Sequence, residues 1–246
     1  MHHRSIQTGL AAVALCLGAS AHALTLTPGG SLSGVTVTGT TSIYDVFGHA
    51  GNTGGDYGPD APAVQIDFAA GASNVFTFSA TGLVSCCSDS PNISPDGGSS
   101  WTNIVGINGL SSIAGNANLP LVGVFTSDTD PYGSAAPATL NFDAHNPTSL
   151  APVLNQVFYI GDGLSGYGNS AGTPLTFTAP TGATRLYLGV IDAYSFGGTT
   201  GYYNDNKGAY TVGVNLSAVP EPQTSSLVLA GAALVLVCGS ALRTRR

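Results

Sequence analysis

Arg185-Leu-Tyr-Leu-Gly-Val-Ile191 and Ala209-Tyr-Thr-Val-Gly-Val-Asn-Leu216 alternate apolar with small or polar residues, and Asp192-Ala-Tyr-Ser-Phe-Gly-Gly-Thr-Thr-Gly-Tyr-Tyr-Asn-Asp-Asn-Lys-Gly208 joins them. Period-two alternation over strand lengths predicts two β-strands linked by a Gly-rich loop. That loop brings Asp192, Asn204, Asp205 and Asn206 within reach of one another. Asn, Asp and Gly are also what turns need, because short polar side chains bond the nearby backbone and Gly accepts positive φ. The same oxygens on a rigid strand pair are what Ca²⁺ asks for, roughly 6–8 hard oxygen ligands at ~2.3–2.6 Å.

Working outward, the alternation recurs. Leu24–Thr27, Gly34–Thr38, Ser42–Phe47, Ala63–Phe68, Asn74–Ser79, Leu121–Phe125, Val153–Ile160 and Leu175–Thr178 all have strand length, with turn residues between them. Such spacing predicts an all-β sandwich or jelly roll over residues 24–218, not β-α-β units, and no fixed-period repeat points to a propeller or solenoid. The 246 residues hold 34 Gly and 14 Pro with only 8% charged residues, which disfavours long amphipathic helices; 43% hydrophobic residues disfavour disorder.

Charge is unevenly placed. Every acid between Leu24 and Ser217 is Asp, the single Glu is Glu221, and Arg185 and Lys207 are the only Lys or Arg residues of that central region. An acidic domain is repelled by phosphate backbones, so nucleic acid is excluded as a partner class.

The two ends carry addresses. Arg4, the apolar run Leu10–Leu17 and Ala21-His-Ala23 have the order of a secretory signal peptide, residues 1–23, cleaved after Ala23. At the other end, Val219-Pro-Glu-Pro222 precedes an apolar run from Ser225 to Leu242 and then Arg243-Thr-Arg-Arg246. A helix over that run would be about 27 Å long, close to a bilayer's hydrocarbon core, with the arginines cytoplasmic. Cys86 and Cys87 are the only cysteines of the central region; in the oxidising space beyond the inner membrane they are expected to form a vicinal disulfide. Further His or Cys for a Zn site are missing nearby.

Other motifs weigh less. Gly161-Asp-Gly-Leu-Ser-Gly166 matches a dinucleotide fingerprint, but Tyr167–Pro174 offers no helix to receive a pyrophosphate, so a turn or a polar loop near the metal is expected. Asp128-Thr-Asp-Pro-Tyr-Gly133 imitates an EF-hand start, yet Tyr132 and Thr139 stand at ligand positions, which predicts a turn. His49 and His145 sit beside no obvious nucleophile and no Gly-x-Ser-x-Gly elbow occurs, so a non-catalytic protein is expected. Tyr194, Phe196, Tyr202 and Tyr203 are expected to face solvent from the loop, as a platform for a sugar.

Two resemblances add to this. The tail 219–246, with Val219, Pro220, Glu221, Pro222, a single transmembrane helix and Arg243, Arg245 and Arg246, resembles the PEP-CTERM sorting tail of Gram-negative bacteria. That resemblance implies export through the inner membrane, transient anchoring there, recognition by an exosortase, and arrival at the cell surface or extracellular matrix. Phe177-Thr-Ala-Pro180, Arg185–Asp192, Gly201–Gly208 and Tyr210-Thr-Val212 resemble the C-terminal half of the LecA-like galactophilic lectins, with a looser match at Phe76–Gly82. Those lectins are jelly-roll sandwiches that hold a sugar through Ca²⁺. The resemblance implies side-chain metal ligands at Asp192, Asp205 and Asn206, carbonyl ligands at Tyr202 and near Cys86, and sugar contacts at Asp192, Asp205, Asn206 and Tyr203, with an extracellular polysaccharide or other glycan as partner. Asn204 is not among the leading ligands. Between Cys87 and Trp101 the chain has a Pro/Gly/Ser-rich loop without that family's sugar-contacting His and Gln. The alternative function is a structural or adhesive matrix protein that binds no sugar.

Overall fold

The computed structural model describes residues 23–51, 60–71, 74–87, 89–168 and 171–217. The expected signal before Ala23, the Pro-Glu-Pro motif, the apolar span and the arginine cluster lie outside the described residues. No helix among the described residues is long and apolar enough to cross a membrane.

The described chain is all-β. Its strands are β1 (Leu24–Leu26), β2 (Ser31–Thr38), β3 (Val64–Phe68), β4 (Val75–Ser85), β5 (Thr102–Val105), β6 (Ile113–Gly115), β7 (Leu121–Thr126), β8 (Leu140–Phe142), β9 (Val157–Tyr159), β10 (Phe177–Thr178), β11 (Arg185–Val190), β12 (Gly197–Thr199) and β13 (Lys207–Leu216). They form a five-stranded sheet, β1-β3-β11-β7-β9, a four-stranded sheet, β10-β4-β13-β2, and a small sheet, β12-β5-β6-β8.

The first two sheets face each other across the main core. Ile66, Phe125, Leu186 and Leu188 on one side meet Phe76, Phe78, Val212 and Val214 on the other, all buried. Because side chains alternate across a strand, the residues between them point to the far face. There Val122, Val124 and Tyr187 pack on Ile104 and Ile113 of the small sheet and on Ile43 and Tyr44. The interior strand β7, between β11 and β9, is thus buried at every residue, as its unbroken Leu121-Val-Gly-Val-Phe125 run requires.

Two expected strands are corrected. Ser42–Phe47 makes turns and an isolated bridge from Ser42 to Val190, and Phe47 has φ 56°. Val153–Ile160 is extended and ladder-paired only at Val157–Tyr159, because a turn through Leu154 and Asn155, the latter at φ 64°, precedes it.

Candidate functional site

The site is set by register. β13 pairs antiparallel with β4, Lys207 opposite Ser85. The next step outward therefore sets Asn206 beside Cys86, so the end of β4 and the start of β13 deliver the cysteines and the Asn-Asp-Asn segment to one place. β11 ends at Val190 on the facing sheet and delivers Asp192 there too.

Asp192 is 1% exposed. Its Oδ2 accepts a hydrogen bond from Asn206 Nδ2 at 2.8 Å and its Oδ1 from the Ala193 amide at 2.8 Å. Its own amide donates to Tyr203 Oη at 3.2 Å, and its carbonyl accepts from the Gly201 amide at 3.1 Å. Burial pushes the Asp192 carboxyl up to about 8; the Asn206 and Ala193 hydrogen bonds pull it down, and the nearby Asp205 charge pushes it further up. Among the described residues no basic side chain pairs with Asp192.

Three neighbouring oxygens lack partners. Asn204 Oδ1, Asp205 Oδ1 and Asn206 Oδ1 are buried with no hydrogen bond in the protein. Such groups cost roughly 1–3 kcal/mol each if nothing meets them. All are acceptors from one short segment, which is the donor set of a hard cation and of no apolar ligand. Asn204, set aside on sequence grounds, thus rejoins the candidates; its only signal in the chain was its place in the Asn-Asp-Asn run.

A cavity of about 350 Å³ opens over this segment, lined by Asp192, Asp205, Tyr202, Cys86 and Cys87 with Tyr194 and Phe196 at its side. Cys86 and Cys87 are joined by a disulfide. Cys87, Ser195, Phe196 and Tyr202 have positive φ of 63°, 51°, 60° and 71°, and all four line the cavity. Non-glycine residues pay of order 1–3 kcal/mol for such conformations and hold them where surrounding structure over-determines them, often at binding sites. Among the described residues no group of three or more His, Cys, Asp and Glu converges on one point; the cluster here is made of Asp and Asn side-chain oxygens.

The structure brings Asp192, Tyr202, Asp205 and Cys86 together on one cavity and sets Asn206, 1% exposed, directly behind Asp192. Tyr203 is a correction. It is fully buried, with its hydroxyl 2.8 Å from Thr200 Oγ1 as well as on the Asp192 amide, so it braces the loop from within and cannot meet a sugar. Of the four loop aromatics only Tyr194 is exposed, Tyr202 packs against it at 5.4 Å between ring centroids, and Phe196 is half-buried.

The remaining motifs fall elsewhere. The Gly161–Gly166 segment opens on a turn, one of its two expected forms, and lies against Asp96, whose Oδ1 accepts the Asp162 amide at 2.8 Å; none of its residues lines the Asp192 cavity. Asp128–Gly133 is a turn, with Asp130 Oδ1 accepting the Tyr132 amide at 2.9 Å and Asp130 Oδ2 2.7 Å from His49 Nε2. His145 stands 2.7 Å from Asn116 Nδ2 and packs on the Tyr167 ring. Neither family models, curated proteins nor solved structures give a match to this chain.

Proposed function

We propose that this is an exported surface or matrix protein whose domain, residues 24–218, is a jelly-roll-like β-sandwich binding carbohydrate through Ca²⁺. The observation that carries the metal is the trio of buried, unpartnered oxygens on Asn204, Asp205 and Asn206 beside the buried, uncompensated Asp192 carboxyl. Asp192, Asp205 and Asn206 would hold the ion through side chains, and Tyr202 and Cys86 through carbonyls; Asn204 supplies a further oxygen. When bound, Ca²⁺ neutralises the carboxylates and leaves part of its oxygen shell to two vicinal sugar hydroxyls. The residues themselves orient the loop: Asn206 fixes Asp192, and Tyr203 fixes the backbone where the loop turns back. The lectin resemblance supports the sugar, and the tail sequence supports sorting by an exosortase after passage through the inner membrane.

Titration of the full chain with Ca²⁺, followed by thermal unfolding and a glycan array with and without chelator, tests this. A Ca²⁺-dependent rise in Tm that vanishes in Asp205→Ala, with chelator-sensitive glycan binding, is the expected result. Glycan binding indifferent to chelator, or no rise in Tm, removes the calcium mechanism.

A structural or adhesive matrix role without sugar binding is the second reading. Asn206 Nδ2 already donates to Asp192 Oδ2 and ties the loop to the Gly39 carbonyl at 2.9 Å, which is how a loop-stabilising pair behaves. A Ca²⁺-induced shift with an empty glycan array favours it.

A further inference from the structure

A second cavity, of about 410 Å³, adjoins the first and shares Cys86 and Phe196 with it; its far wall includes Asn92, Ser99, Ser100 and Asn118. No ionisable side chain lines it. Its floor is firm: Asn118 is 5% exposed, its Oδ1 accepts the Ser100 amide at 3.1 Å, and its carbonyl accepts the Gly98 amide at 2.8 Å. The upper rim, Asn92, Ser99 and Ser100, is exposed.

Two large aromatic rings stand open around the pair of cavities. Trp101, next to Ser100, is 60% exposed, and Tyr194 is 69% exposed. The Trp101 indole lies against Gly197, where a Cβ would come within 3.0 Å of the ring, so the missing side chain lets the ring rest on β12 beside Phe196. A surface that leaves rings this open next to amides and hydroxyls matches a ligand with apolar faces and polar edges. A sugar ring has both. Within the second cavity an anionic sugar would find no cationic side chain, and a peptide carboxylate none either.

We propose that the two cavities form one groove for a neutral oligosaccharide, with one sugar at the calcium and the next crossing Cys86 and Phe196 into the Asn92–Asn118 pocket, flanked by Trp101. This rests on the calcium-dependent sugar reading and names its ligand class: a neutral chain of two or more residues, not a lone monosaccharide or a uronate.

Isothermal titration of the full chain in Ca²⁺ with galactose, mannose and glucose, their neutral β-linked di- and tetrasaccharides, and a uronate tetrasaccharide tests it. In the series that binds, affinity should rise at least about tenfold from mono- to disaccharide, or about 1.4 kcal/mol. Trp101→Ala, and Ser99→Arg filling the pocket, should erase that rise while keeping the monosaccharide affinity and the Ca²⁺-induced Tm shift. Equal affinity for mono- and oligosaccharides, or preference for the uronate, overturns the groove and leaves the calcium site standing. Failure of every sugar to bind while the Tm shift persists overturns the sugar reading and the groove together. Length-dependent binding that survives chelator supports the groove and overturns the calcium step instead.

Discussion

Asn206 donates both amide hydrogens, to Asp192 Oδ2 at 2.8 Å and to the Gly39 carbonyl at 2.9 Å, and its Oδ1 is left buried with no protein partner. One side chain thus ties three chain segments together and keeps one buried oxygen without a protein partner beside Asp192. A buried carboxylate without a cationic partner is costly, so Asp192 is better explained by something absent from the chain than by its neighbours alone.

Asp192→Asn should therefore separate two effects. In chelator near pH 7 the neutral isostere should unfold at the same temperature as the parent or higher, because the Asp192 carboxyl, pushed up to about 8, must hold a proton in the folded protein that the unfolded chain has released. In Ca²⁺ at about a hundred times its Kd the parent should gain about 2.7 kcal/mol and the variant nothing. At roughly 2–4 °C per kcal/mol for a domain of this size, calorimetry resolves the difference. A variant that keeps the full Ca²⁺ shift places the ion elsewhere.

Tyr203→Phe tests the bracing role. The hydroxyl lost is the acceptor for the buried Asp192 amide and the partner of Thr200 Oγ1. Stability in chelator should fall by about 1–3 kcal/mol, the cost of a stranded buried donor, and glycan preference should not change. An altered sugar preference with unchanged stability would return Tyr203 to the sugar-contacting surface.

The strands that position this site were legible because β11 and β13 are long enough for alternation to show, and each borders the main core on one face. Alternation marks burial, however, not pairing. Tyr44 and Val46 alternate with Asp45 and, like Ile43, are buried, yet the segment packs as turns over Tyr187, with backbone bonds such as Ile43 N to Val190 O in place of a ladder. The small sheet was missed for the opposite reason: β5, β6, β8 and β12 have three or four residues each, rich in Gly, Asn and Thr, and exist through tertiary pairing. Tyr203 misled because a loop aromatic looks exposed until a buried hydroxyl partner, Thr200, is known.

Reduction of Cys86–Cys87 should act locally. A disulfide stabilises chiefly by constraining the unfolded chain, more for longer loops, and this one joins adjacent residues. Reduction with a phosphine should move the Tm in chelator by less than about 2 °C. Because the pair walls the cavity beside Asp205, Ca²⁺ affinity should drop about tenfold, or about 1.4 kcal/mol. Titrations of the oxidised and reduced protein that superimpose would remove the disulfide from the site.

The acid side of the stability curve should carry a signature of Asp45. Burial pushes its carboxyl up to about 6, the neighbouring Asp60 charge adds to the rise, and His49 opposes it. Burial also raises the Asp60 carboxyl, against hydrogen bonds from its own backbone, Ser42 and Gly51. Between the ordinary carboxylate range near 4 and the folded value near 6, the folded protein holds a proton that the unfolded chain has released. The native state then binds more protons, so this group's contribution makes stability fall as pH rises through that window and stay constant above it. Asp130 and Asp143 shift the other way, held low mainly by hydrogen bonds from the Tyr132 amide and Asn116, and they cost stability only at lower pH. The difference between parent and Asp45→Asn isolates the effect. With solvent screening of this half-buried group allowed for, the variant should be about 1 kcal/mol more stable at pH 7 and nearly equal to the parent at pH 4. Urea unfolding across pH 4–7 measures it; parallel curves for the two proteins would mean that Asp45 ionises as freely folded as unfolded.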